Sequence, residues 1–385
     1  MKELKTILAT FSNVDFAQRK AALATVVNVR GSSYRSPGAR MLITDEGKWV
    51  GSISGGCLEG DALRKARQVM MENKPMTITY DTREESNQNL GIGLGCNGVI
   101  DVLIEPVYKG SETISLIQKM VNQNEPVALA TRIRGEFAGE KFLLDHHRKS
   151  QSEFSDNKLN SYVLQELTEV FAHHRSETKT ILGEEIFFEL IQPVVSLIIF
   201  GGGFDARPVS TLAKSLGWDV QVTDECVSHI APVFFPTADK LSLCHREFID
   251  RDFAITPYTA CVLMSHNYEY DRDVLKKLLR TTTPYIGILG PRKRFDKMLS
   301  EFESQHMVLT AEDFQRIHSP IGLDIGAETP DEIALSILAE IQSKFANRSG
   351  GFLKYRSGPI HERKGDQVFK QVYLNNDTPT KSVNG

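Results

Sequence analysis

The feature that most constrains this chain is the junction at residue 200, where the apolar run 194–200 stops at Gly201-Gly202-Gly203-Phe204-Asp205-Ala206. A short, nearly continuous apolar run suits a strand covered on both faces. The glycine spacing that follows fits a dinucleotide fingerprint. Gly201 permits a tight turn, Gly203 lets backbone amides approach a pyrophosphate at the positive helix end, and Ala206 allows close helix-to-strand packing. Asp224, about 20 residues further on, closes the next strand and can accept from a ribose hydroxyl. The surrounding sequence alternates in the same sense: a helix to Leu216, strands at 219–223, 260–265 and 285–289, and a helix from Asp271. The expected fold class is α/β, with a Rossmann-like, doubly wound parallel sheet over 191–346.

Two details support the helices. If Asp205 caps the first, Pro208 falls in its opening turn, where a missing N–H costs little. Thr329, Pro330 and Glu332 supply an N-cap, a first-turn proline and a capping-box acid for a last helix through about Phe345. The Gly290-Pro291-Arg292 turn follows another strand, so it should share the carboxyl edge of the sheet with the Gly201 turn. Arg292 there can hold a phosphate, or it belongs to a solvated basic turn. His266 ends a strand at the same edge, facing the crevice or simply packed. Asp224 is expected to be an exposed strand-end acid whose loss leaves the fold intact.

The first half reads as a mixed α+β domain, 1–190. Strands are expected at 24–29, 40–44, 49–53 and 98–105, with a helix over 61–71 and a hairpin turning at Gly183. The polar stretch 145–160 reads as an exposed connection, and 347–385 as a mobile tail. No repeat with a period of 20 to 50 residues is visible, so a solenoid is unsupported. Two glycine-rich clusters stand out, GSISGGCLEG at 51–60 and GIGLGCNG at 91–98. Gly55 and Gly56 beside Cys57, and Gly95 beside Cys96, free the backbone to approach a ligand. A helix starting near Glu59 would favour a Cys57 thiolate. The bland alternative for each cysteine is a small buried residue in a tight turn. Arg35 and Arg40, with Arg30, flank a glycine-serine loop suited to phosphate, or they are surface charges.

Composition narrows the partners. The 385 residues carry 45 basic and 49 acidic side chains, so no global attraction to nucleic acid or an anionic membrane exists. No apolar run approaches the ~20 residues that cross a bilayer, and no secretory leader is visible, so a cytoplasmic location is expected. Five cysteines without CxxC spacing point to free thiols rather than a disulfide framework. No Cys or His pair has the spacing of a tetrahedral zinc site, and the pairs His146-His147 and His173-His174 fall in the polar connection and a helix.

Residues 24–59, 80–83 with 93–105, the Gly201 turn, 285–292 and 320–340 together resemble the XdhC/CoxI family of xanthine dehydrogenase accessory proteins. SGGCLEG and PIGLDIGA are the specific segments. The resemblance implies a non-enzymatic carrier, or chaperone, of purine catabolism. Such a protein binds molybdenum cofactor (molybdopterin) transiently, supports its sulfuration with a cysteine desulfurase, and delivers it to a xanthine dehydrogenase-type apo-enzyme. Cys57, Cys96 and Glu59 then become candidates for sulfur relay or cofactor ligation, with Cys57 a molybdenum ligand. Arg35, Arg40, Gly55, Gly56, Gly95, Gly201, Gly203, Asp224, His266, Gly290 and Arg292 become candidate binding residues. A homodimer is compatible with the resemblance, although nothing in the sequence derives it. Phe204, Cys226 and Pro291 depart from the family pattern and remove polar contacts expected beside NAD(P) or a pterin dinucleotide. The alternative is an NAD(P)-dependent oxidoreductase built on the Rossmann-like domain. It leaves the cysteine clusters unexplained. A purely structural adaptor would bind no ligand.

Overall fold

The computed structural model describes residues 1–82 and 98–356. Its first half holds two antiparallel sheets of one design. The first is built from α1 (Lys2–Ser12), β1 (Ala21–Gly31), β2 (Arg40–Thr44), β3 (Trp49–Gly51), α2 (Glu59–Glu72), β4 (Met76–Asp81) and β5 (Gly98–Val107), in strand order β3-β2-β1-β5-β4. The second comprises α3 (Glu112–Asn122), β6 (Val127–Arg132), β7 (Lys141–Leu144), β8 (Ser150–Ser152), α4 (Asn157–His173), β9 (Glu177–Ile181) and β10 (Glu184–Ile191). Its order is β8-β7-β6-β10-β9. Element order and strand order match one for one, so this half of the molecule is an internal duplication. Its period is about a hundred residues, beyond the span in which solenoid repeats occur.

Alternation along the strands explains the layering. Ala22, Ala24 and Val26 pack beneath α2, against Ala62, Ala66 and Val69. Leu23 and Val107 face the second sheet, with Leu129, Leu143 and Ile191. Ala128, Ala130 and Phe188 close the far side beneath α4. Two buried ion pairs cross between the sheets in matching positions, Arg40 to Glu189 and Lys141 to Glu105. Arg40 and Lys141 each open the second strand of a copy, opposite Thr25 and Thr131. Each also donates to a glycine carbonyl two residues back, Gly38 or Gly139, at 2.9 Å. Both glycines have positive φ, and a Cβ there would meet the Glu189 or Glu105 carboxylate.

The stretch 145–160, expected to be an exposed connection, supplies the edge strand β8 and the start of α4, where Asp156 accepts from the amides of Lys158 and Leu159. It is polar because an edge strand and a helix cap both face water.

The second half is β11 (Ser196–Phe200), α5 (Ala206–Leu216), β12 (Asp219–Asp224), β13 (Lys240–Leu243), α6 (Ile249–Asp252), β14 (Thr259–Leu263), α7 (Tyr268–Leu278), β15 (Tyr285–Ile288), α8 (Arg292–Ser304), α9 (Ala311–Arg316), β16 (Ile317–His318) and α10 (Pro330–Phe345). All six strands are parallel, in order β13-β12-β11-β14-β15-β16. That is the 3-2-1-4-5-6 order of a Rossmann sheet. The helices α5 and α10 cover one face, and α7 and α8 the other. Thr329 and Glu332 form the expected reciprocal capping box, with Pro330 at the first position. Of the tail, residues to 356 are described and include a 3₁₀ turn at Leu353–Tyr355.

The halves meet through α1. Lys2 Nζ donates to the Ser215 carbonyl at 2.6 Å, and Lys5 pairs with Asp219 at 2.8 Å. Asp219 opens β12, so this contact lies at the amino edge of the parallel sheet, opposite the Gly201 and Gly290 turns.

Candidate functional site

Strand register brings three connections of the first sheet to one end. Gly51 at the end of β3 pairs with Met41, Asp81 at the end of β4 pairs with Val99, and Arg30 near the end of β1 pairs with the same Val99. The connections that begin at Ser32, Ser52 and Thr82 therefore leave the sheet in the same direction, although β2 and β3 stop beside Ala24 and Thr25 of β1 while β5 and β4 stay paired as far as Arg30. Gly95 and Cys96 lie outside the described residues; their flanks, Thr82 and Gly98, are joined at this end by a hydrogen bond of 2.7 Å.

Glu59 organises the 52–58 loop. One carboxylate oxygen accepts from Ser52 Oγ and from the amides of Ile53, Ser54 and Gly55. The other accepts from Ser54 Oγ and the amides of Gly56 and Leu58. Burial opposes ionisation of this group, but the Ser54 and Ser52 hydroxyls and the loop amides outweigh it and hold its pKa down to about 2. Glu59 thus faces its own loop, and the amides of Gly55 and Gly56 are already engaged. Both glycines have positive φ, at +87° and +123°, which the wrap of the loop requires. Cys57 is half-buried and packs against the core beneath α2. Tyr34, 65% exposed, lies against Gly55 of the same loop.

The arginines divide. Arg35 belongs to this end: its Nε donates to the Ser52 carbonyl at 3.2 Å, and its guanidinium pairs with Glu3 of α1. Arg40 does not reach the loop, being buried in the ion pair with Glu189, which raises its pKa against the opposing effect of burial. Asp101 is a member that sequence reasoning missed. Only 2% exposed, it receives Asn28, Arg30, Thr79 and Arg134 near the same end. An acid inside the apolar strand 98–104 was the available signal.

The four described cysteines are free thiols. Burial pushes Cys261 up to about 12, and burial with Asp252 pushes Cys244 up to about 11, so neither suits thiolate chemistry. Cys57 and the exposed Cys226 remain accessible.

The Rossmann edge forms a second cluster. Gly201, at φ +118°, passes so close to the next strand that a Cβ would lie 2.4 Å from Ser265 Cα. Gly203 lies against His266, whose ring is mostly exposed and whose Nε2 is 3.4 Å from Asp205. Gly203, Asp205 and His266 therefore meet between β11 and β14, the switch point of the sheet. Asp224 corrects the expectation of an exposed acid. It is 4% exposed and accepts from the amides of Gly202 and Cys226 at 2.9 and 2.8 Å, with His229 Nδ1 at 3.0 Å. The 3₁₀ turn Val227–His229 folds back over it. Arg294 packs on Gly290 and pairs with the buried Asp271 at 2.7 Å, whereas Arg292 points to solvent.

These features define a two-part protein: a duplicated α+β module carrying a glycine-wrapped thiol, joined to a Rossmann domain. Among the described residues no helix is long and apolar enough to cross a membrane. The XdhC Rossmann domain model matches residues 197–341, and the XdhC and CoxI family model matches 17–81. A Bacillus subtilis (strain 168) protein described as a probable xanthine dehydrogenase subunit is 31% identical over 84% of this chain and 93% of its own length. The molybdenum cofactor insertion chaperone PaoD of Escherichia coli (strain K12) is 25% identical over 88% of each chain. A crystal structure described as a xanthine dehydrogenase from Bacillus halodurans superposes with a TM-score of 0.74 at 31% identity, covering 90% of this chain and 97% of that one. The chain belongs to the XdhC and CoxI family.

Proposed function

We propose that the chain is a carrier in molybdenum cofactor maturation, receiving the cofactor at the Cys57 end of the first sheet and delivering it to a xanthine dehydrogenase-type apo-enzyme in the cytoplasm. The observation that carries this reading is the difference between the two copies of the duplicated module. In the second copy a plain Asp156 cap leads into α4, and the two residues Leu182 and Gly183 join β9 to β10. In the first copy the matching connections are the glycine-wrapped loop 52–58 and the stretch 82–97. The second copy keeps the same topology with shorter, plainer connections, so the extra length, glycines and cysteines of the first are not demanded by that topology.

The residues present suit the cargo. Molybdenum bound by a dithiolene accepts a soft sulfur donor, which Cys57 supplies; Tyr34 offers a surface for a planar pterin, and Arg35 a cation for its phosphate. Glu59 acts by positioning the loop. Sulfuration with a cysteine desulfurase and an assembly as a homodimer belong to the same reading. In the Rossmann domain Gly201, Gly203 and His266 are the residues a pterin dinucleotide or NAD(P) would meet, while Asp224 is held by its own loop.

Purification from cells with an intact cofactor pathway, followed by pterin and molybdenum analysis, tests the proposal. Cys57→Ser keeps shape but replaces a soft donor with a hard, barely ionised one. Cofactor retention and activation of a co-expressed xanthine dehydrogenase should both fall while the melting temperature stays near that of the unsubstituted protein. Unchanged retention and activation would reject the role given to Cys57, and a wild-type protein that carries no pterin under any condition would reject the carrier itself.

A further inference from the structure

We propose that Glu125, His146 and His147 form a binding site for a divalent first-row transition metal ion of the zinc or nickel type, separate from the cofactor end of the module. Glu125 lies in the link between α3 and β6, and the two histidines lie in the turn between β7 and β8. Sequence spacing could not join them. In the folded chain one ligand atom from each lies within 4.8 Å of the others. The imidazole rings are 3.5 Å apart between centroids, and the Glu125 carboxylate touches His146 Nε2.

The turn is built to present both rings together. Arg148 takes a left-handed φ of +64° and donates its amide to the Asp145 carbonyl, and Asp145 Oδ1 accepts from the Lys149 amide at 2.9 Å. Arg148 then turns away, with its guanidinium over Phe171 and directed to the Thr168 carbonyl. The cation nearest in sequence thus leaves the carboxylate to the two imidazoles.

The duplicated copy provides a reference. The matching link between α1 and β1 and the matching turn between β2 and β3 are tied by an ordinary ion pair of Arg19 with Glu46, with Lys48 also on Glu46 at 2.9 Å. The second copy ties the same two places through Glu125 and His146 instead, with the His147 ring packed on His146, so a carboxylate faces two imidazoles where the first copy has Arg19 and Lys48 on Glu46. Two imidazoles and one carboxylate are the donors zinc and its neighbours take, not the all-oxygen set of calcium or magnesium. Three protein ligands leave a coordination position open for water or a further side chain. An ion there would clip the β7–β8 turn to the α3–β6 link.

The test is calorimetric titration of the untagged, chelator-stripped full-length protein with ZnCl₂ and NiCl₂, with cobalt absorption spectra as a second readout. One equivalent should bind, and His146→Ala, His147→Ala or Glu125→Gln should each weaken it by at least about tenfold, or about 1.4 kcal/mol. His173→Ala, on α4, should bind as the unsubstituted protein does. Circular dichroism melting of the ion-free proteins checks that the surface variants fold alike. Absence of stoichiometric binding, equal affinity in the three variants, or a cobalt spectrum with thiolate charge-transfer bands would overturn the proposal.

Discussion

Glu59→Gln isolates the device that shapes the Cys57 loop. The carboxylate accepts seven hydrogen bonds, four on one oxygen and three on the other. Glutamine keeps one acceptor oxygen and turns the other site into an NH₂ group aimed at donors. The fall in pKa from the ordinary 4.5 to about 2 converts to roughly 3 kcal/mol in favour of the ionised, folded form. The loss of hydrogen bonds to a charged acceptor, at about 1.5–3 kcal/mol for one good bond, gives a cost of the same order. Because the folded-state pKa is depressed, this stability is fully present above pH 4.5 and is lost as pH falls from there toward 2. Urea unfolding of the variant at neutral pH should therefore show a loss of about 2–4 kcal/mol, and the pH dependence between 4.5 and 2 should flatten. Alkylation of Cys57 should quicken as the loop opens. A variant within about 0.5 kcal/mol of the parent, with an unchanged alkylation rate, would refute the claim that Glu59 holds this loop.

Two further outcomes follow from buried charges. Asp224→Ala should cost about 2–4 kcal/mol, because it strands the Gly202 and Cys226 amides, so thermal unfolding should fall well below that of the parent. Arg40→Met alone should cost about 3–5 kcal/mol by leaving Glu189 unpaired between the sheets, whereas adding Glu189→Leu should recover most of the loss. A double variant no more stable than Arg40→Met in urea would show that the pair is more than a self-compensating tie.

Much of the second half was legible because it rests on local signals. The strand, glycine turn and helix at 196–216 and the capping box at Thr329 are written in consecutive residues. The short strands β13 and β16 escaped: each is four residues or fewer and only partly buried, so neither shows an apolar run. In the first half β1, β2, β3, β5 and the β9–β10 hairpin were legible, whereas β4, β6, β7 and β8 and the arrangement of all of them were not. The duplication is carried by pairs such as Arg40 with Glu189 and Lys141 with Glu105, in which the basic residue of one copy meets the acid of the other. Arginine in one place and lysine in its equivalent leave little sequence identity to detect. The site was half legible. Glycines around Cys57 announced a special loop, yet the direction of its amides could not be read, because glycine permits them to face either a ligand or Glu59.

The placement of the two clusters bears on how the proposed carrier would work. Glu3 of α1 pairs with Arg35 beside the Cys57 loop, while Lys2 and Lys5 of the same helix hold the amino edge of the Rossmann sheet. The Gly201, His266 and Gly290 turns occupy the opposite edge, a strand's length away, about 17–20 Å. A single small ligand cannot touch Cys57 and the Gly201 turn at once across that sheet. If both clusters act on one cofactor, they do so in succession or between chains, and disrupting them should produce different defects: substitution at Cys57 should abolish retention by the isolated chain, whereas His266→Ala should spare retention and weaken delivery to the client. Equal loss of retention from both substitutions, with folding intact, would mean that the halves close on the ligand in an arrangement different from the one α1 holds here.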